Sequence, residues 1–204
     1  MSDGLTSSSK MVDFALFIGD GQVDPLHDVS TSPSGRLDQT ISHFMTGGSD
    51  SINHISYFAL RHHPILLGIE TKTISRTEEE ARVQLGIWVT AHVRRIWSLG
   101  SLTSASNASA LRGVLQEMVF PLIYVQSAKW SLLFARPFFK LDAKGSEVLH
   151  IVIYHDISLG ETSSIDGLYR LLQAFRIIRQ WGGTVFRGWW RRILDIIYEA
   201  DVSS

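Results

Sequence analysis

The chain has 204 residues, 45% of them apolar and 10% aromatic, enough to bury a sizeable core, so a single domain over 1–204 is expected. It has no cysteine, which excludes disulfides, thiolate metal sites and a cysteine nucleophile, and leaves any metal to oxygen or imidazole ligands. With 19 Lys plus Arg against 20 Asp plus Glu the formal charge is -1, so the chain as a whole carries no electrostatic footprint for nucleic acid.

The start, Met1 to Lys10, is polar and serine-rich, unlike a signal peptide, and no apolar run reaches the roughly 18 residues of a membrane span. A protein without membrane contact, intracellular and either nuclear or cytoplasmic, is expected. Met11 to Ile18 is an apolar run broken by Asp13 and is read as a buried strand. Residues 19 to 50 are rich in Gly, Ser, Asp, Thr and Pro, so a long insert is expected at about 19–60, with a short helix near Leu37 to Phe44. Pro64 to Lys72 reads as a second buried strand. Thr77 to Leu99 reads as a helix opened by a threonine cap and an acidic first turn, with Ala81, Leu85, Trp88, Val89, His92 and Ile96 at helical spacing.

Gly100 to Ala110 has the composition of a loop. Strands are expected at Phe120 to Gln126, Trp130 to Pro137 and Val148 to Asp156. A helix from Ser164 to about Gln180 should turn Leu168, Leu171, Leu172, Phe175 and Ile178 to the core, and an apolar-basic segment runs from Trp189 to Glu199. This order of elements predicts an α/β protein, a mixed central β-sheet flanked by helices.

Chemistry concentrates in Glu70-Thr71-Lys72. Alternation along a strand puts Glu70 and Lys72 on one face and Thr71 on the other. One reading is a surface ion pair at an exposed strand end, worth at most about 1 kcal/mol. The other draws in Asp13, a carboxylate within an apolar strand that calls for a partner or a cation. Two acids and a lysine on neighbouring strands make a site for a hard cation such as Mg²⁺, with Lys72 beside the attacking water.

Asp13, Glu70-x-Lys72 and then Gln84-Leu-Gly-Ile-Trp88 together resemble the PD-(D/E)XK nuclease superfamily, the last element being similar to the Gln-x-x-x-Tyr helix of RecB-like members. The wording KMVDFALFI, INHISYFALRHHPILLGIETK and EEARVQLGIWVTAHVRRI is similar to that of a fungal group of such nuclease-like proteins. The resemblance covers roughly residues 10 to 190. It implies a restriction-endonuclease-like core and Mg²⁺ or Mn²⁺ held by Asp13, Glu70 and the backbone carbonyl of Thr71. It also implies that Lys72 lies near the nucleophilic water, that Gln84 positions that water or the metal ligands, and that a nucleic-acid phosphodiester is hydrolysed. Val12 stands where the family's name-giving motif has Pro, and Trp88 where RecB-like members have Tyr. Such cores begin with a helix and a strand ahead of the Asp13 strand. Only about ten residues precede it here, so a truncated start is expected.

Asn53, His54 and Tyr57 match the fungal group's Asn-His-x-x-Tyr wording and are candidates for a substrate pocket, or else for a loop tied by side-chain hydrogen bonds. His62 and His63, adjacent on an extended segment, point to opposite faces, which makes joint ligation awkward. His92 reads as a core histidine, and His150 and His155 as structural. Between Gly167 and Leu194 lie six arginines and no acid, interleaved with Trp181, Trp189 and Trp190. Arg187 and Arg191 would meet phosphates there, with Trp88 beside the substrate; alternatively the tryptophans close the core. Two functions are expected to compete: a Mg²⁺-dependent nuclease, or the same scaffold recruited to a small-molecule substrate without metal or to non-catalytic binding.

Overall fold

A computed structural model describes residues 12–18, 41–42, 51–73, 75, 77–100 and 105–202. Five strands form one sheet in the order β1-β2-β3-β4-β5: β1 (Phe14–Phe17), β2 (Ile65–Lys72), β3 (Phe120–Gln126), β4 (Lys129–Leu141) and β5 (Glu147–Glu161). Only β2 and β3 pair in parallel, in keeping with the long helical crossover between them, and the other pairings are antiparallel. The sheet is therefore mixed, as the order of elements predicted. The helices are α1 (Glu78–Gly100), α2 (Ala105–Glu117), α3 (Ile165–Trp181) and α4 (Arg187–Val202), the last two joined by a π-helical turn, Gly182–Phe186. No helix among the described residues is long and apolar enough to cross a membrane.

β2 is buried throughout Ile65 to Glu70, because α1 returns over it and β1 and β3 flank it. Thr77 Oγ1 accepts from Glu80 N at 3.2 Å, the cap that the sequence signalled, and Ala81, Leu85, Trp88, Val89, His92 and Ile96 are all buried. The Trp88 ring lies 3.2 Å from where a Cβ on Gly68 would sit, so glycine lets the indole lie flat against the strand. Ser164 caps α3, accepting from Gly167 N at 3.1 Å. One apolar cluster unites β2, β3, α1, α2 and α4, with Trp190 and Phe186 among its largest fully buried side chains.

Several expectations need correction. β1 is not buried, since it lies at the sheet edge with Phe14 and Phe17 exposed. Asp13 precedes the strand and is exposed. Most of the supposed loop up to Ala110 belongs to α2, where Ser109 and Ala110 are exposed and Leu111 and Leu115 anchor the helix. β4 and β5 run on as a hairpin well past the expected ends. Of the five α3 residues expected to face the core, only Leu171 and Ile178 are buried and Phe175 half so, while Leu168 and Leu172 face out, because the buried arc is narrower than the apolar stripe. Of the helix expected near Leu37 to Phe44 only residues 41 and 42 are described, both helical; most of the insert lies outside the described residues.

Candidate functional site

Glu70 and Lys72 stand at the C-terminal end of β2 on the face that α1 covers. Glu70 is 2% exposed, and Lys72 Nζ donates to its Oε1. This is not the exposed surface pair of the bland reading, for both side chains are nearly sealed from water. The other oxygen, Oε2, is buried with no hydrogen-bond partner.

Gln84 follows from the packing of Trp88 on Gly68. One helical turn back along α1 and two residues on along β2 are each about 6 Å, which sets Gln84 level with Glu70. Its Oε1 is also buried and unpartnered. Parallel pairing then places Tyr124 beside Glu70 and Gln126 beside Lys72 on the same face. Sequence reasoning missed these two, because nothing in a single chain announces which later strand will pair with β2.

Asp13 is in register with Glu70 if the β1–β2 pairing is extended by one residue. Its carboxylate turns to Thr71, whose N–H donates to Oδ2 at 2.7 Å and whose hydroxyl donates to the same oxygen at 2.5 Å. Both residues are exposed. Asp13 thus clamps the edge strand to the tip of β2.

Asn53 is buried and fully engaged. Its Nδ2 donates to Leu60 O at 2.5 Å and His63 O at 2.8 Å, and its Oδ1 accepts from Ile65 N at 3.1 Å. The geometry is that of a tied loop leading into β2, which leaves no free carboxamide for a substrate. His54 packs edge-on against Trp88, with ring centroids 4.9 Å apart, and against His92 at 5.4 Å. Burial drives its pKa down to about 4, and burial with the nearby His54 holds His92 well below the ordinary 6.5, so both are neutral. Tyr57 is 62% exposed. Trp88 is buried and stacks on His92 at 5.6 Å, so it is a core residue here and offers no surface to a base.

Farther along, the Phe17 and His63 rings are 5.4 Å apart, and His150 stacks on Phe138 at 5.7 Å. The side chain of His155 lies outside the described residues. Trp189 and Trp190 are buried, and Trp189 Nε1 donates to Val114 O at 2.8 Å, so these tryptophans close the core. Arg192 is held by Glu117 and Arg170 by Asp166. Arg187 and Arg191 are half-buried and engaged with other groups.

The donor set suits a hard cation. Glu70 Oε2 and Gln84 Oε1 are buried oxygens that lack a positive partner, a costly state that a divalent ion relieves. Among the described residues no three His, Asp or Glu side chains converge, so an ion there would have few protein ligands, the sparse arrangement that Mg²⁺ accepts when water and phosphate complete its shell.

A mixed sheet with helices packed on it, and a Glu-x-Lys pair at the end of an inner strand, defines an α/β fold of the restriction-endonuclease kind. The chain belongs to the PD-(D/E)XK nuclease superfamily, whose family model matches residues 2–187. Neither the curated proteins nor the solved structures gave a match.

Proposed function

We propose that the protein is a nuclease that hydrolyses nucleic-acid phosphodiester bonds with Mg²⁺ or Mn²⁺, and that Glu70 and Lys72 are its central residues. Family membership supports the reading, but the observation that carries it is the buried Glu70 carboxylate with one oxygen on Lys72 and the other unpartnered. Glu70, the Thr71 carbonyl and Gln84 would hold the ion, with Asp13 reaching it only by leaving Thr71. A divalent ion supplies charge to the phosphodiester and lowers the pKa of a bound water.

The residues of the chain contribute the rest. Lys72, a compact cation with three donors, exchanges its bond to Glu70 for one to the attacking water or a phosphate oxygen. The Gln84 amide orients that water. Asp13, by anchoring Thr71, fixes the strand tip on which both charges stand. The test is cleavage of single- and double-stranded DNA with and without Mn²⁺, beside calorimetric Mn²⁺ titration of wild type and Glu70→Gln.

A second reading, a scaffold turned to small-molecule chemistry without metal or to binding alone, is favoured by one feature. Lys72 is closed onto Glu70, and Asp13 is committed to Thr71. An intact substrate together with no Mn²⁺ heat would favour it.

A further inference from the structure

At the other end of β2 the molecule has a cavity of about 520 Å³ that the Glu70 site does not use. Its walls are Leu16, Phe17, Ile18, Leu66, Phe175 and Ile178, and its remaining described lining is Arg179, Arg187, Gly182 and Gly183. Leu66 is four residues before Glu70, about 13 Å along the strand, so the two sites are separate.

Three independent features make this a ligand site. Its volume falls in the range of small-molecule pockets, roughly 300–1,000 Å³, with the usual apolar lining. Its charge has one sign, for two arginines and no acid stand among the described lining residues. Gly182 and Gly183 in its lining open the π-helical turn Gly182–Phe186, an irregularity frequent at functional sites. The two glycines there differ. A Cβ on Gly182 would strike Leu66 at 2.8 Å, so close packing dictates that glycine. A Cβ on Gly183, an exposed position in the lining, meets nothing within 4 Å, so packing does not require glycine there.

We infer that this cavity binds an anionic amphiphile, a small apolar molecule with a single carboxylate, whose chain lies between Phe17 and Phe175 and whose anion meets Arg179. Apolar walls alone would take any oily molecule. The Arg179 guanidinium selects the anion, which arginine can grip through two parallel hydrogen bonds.

The test is calorimetric titration of the full chain with octanoate, 1-octanol and acetate. Saturable one-to-one binding of octanoate is expected, at least about tenfold tighter than 1-octanol, with no detectable heat from acetate. Gly183→Leu fills the cavity from an open position and should abolish octanoate binding while the melting temperature holds. Arg179→Gln, at an exposed position, should weaken octanoate by about tenfold and leave 1-octanol unchanged, which keeps the test decisive should Gly183→Leu fail to fold. The inference is overturned by absence of saturable octanoate binding, by equal affinity for octanoate and 1-octanol, or by binding that Arg179→Gln leaves intact.

Discussion

The Lys72 ammonium donates to the Glu70 carboxylate from two residues along β2, with both side chains buried on the face that α1 covers. A charge pair out of water is a fragile source of stability, because removing one member strands the other. Lys72→Met should therefore destabilise the fold by about 3–5 kcal/mol, and the double variant Glu70→Gln/Lys72→Met should recover most of that loss. Urea denaturation of the three proteins checks it; equal stability of the single and double variants would mean that the pair is better solvated than its burial implies.

Asn53 supports the entry to β2 with three hydrogen bonds. Asn53→Ala leaves the Ile65 N–H and the His63 carbonyl without this partner, while the Leu60 carbonyl keeps the His63 N–H, and should cost about 2–4 kcal/mol. Hydrogen exchange at Ile65 is the direct readout, since its amide loses protection if Asn53 is the tie. His62→Ala, which removes no such tie, should leave that amide unchanged.

Acid should loosen the protein through His54 and His92. Unfolded histidines take up protons near 6.5, whereas folded His54 does so only at about 4, and burial together with His54 holds folded His92 well below 6.5. The unfolded state thus binds more protons in this window, so stability is full above about 6.5 and falls as pH drops toward 4. Each histidine adds a slope of up to about 1.4 kcal/mol per pH unit. Denaturation midpoints from pH 7.5 to 4.5 should fall for wild type and fall less steeply for His92→Phe.

Two glycines should respond with opposite sign. Gly68→Ala presses a methyl group against the Trp88 ring at 3.2 Å, and that ring is pinned by His92, so a loss of about 1–3 kcal/mol is expected. Gly113 lies within α2 with nothing within 4 Å, and Gly113→Ala should gain about 1 kcal/mol. Melting curves of the two variants separate the cases.

Helices α1 and α3 and the inner strands were legible because their signals are local. Thr77 announced a cap, and the apolar spacing from Ala81 to Ile96 marked the buried stripe of α1. Edge position was not legible, since the apolar run around Phe14 reads alike for an inner and an outer strand. Nor was the fate of the charges. That Asp13 would turn to Thr71 depends on the β1–β2 register, and the neighbours of Glu70, Tyr124 and Gln126, depend on a pairing with a strand some fifty residues downstream. The basic-aromatic tail left two readings open for a related reason: tryptophans that suit base stacking suit a core equally, and Trp189 and Trp190 follow the second, in the core.

The account turns on whether the Glu70 end of β2 takes up a divalent ion and cuts nucleic acid. The most direct measurement is cleavage of single- and double-stranded DNA in Mn²⁺ by wild type and by Glu70→Gln, with calorimetric Mn²⁺ titration of both proteins. The expected result is Mn²⁺ binding and EDTA-sensitive cleavage by wild type, with cleavage at least about a hundredfold slower in a folded Glu70→Gln. DNA left intact by wild type, with no heat of Mn²⁺ binding, would contradict it.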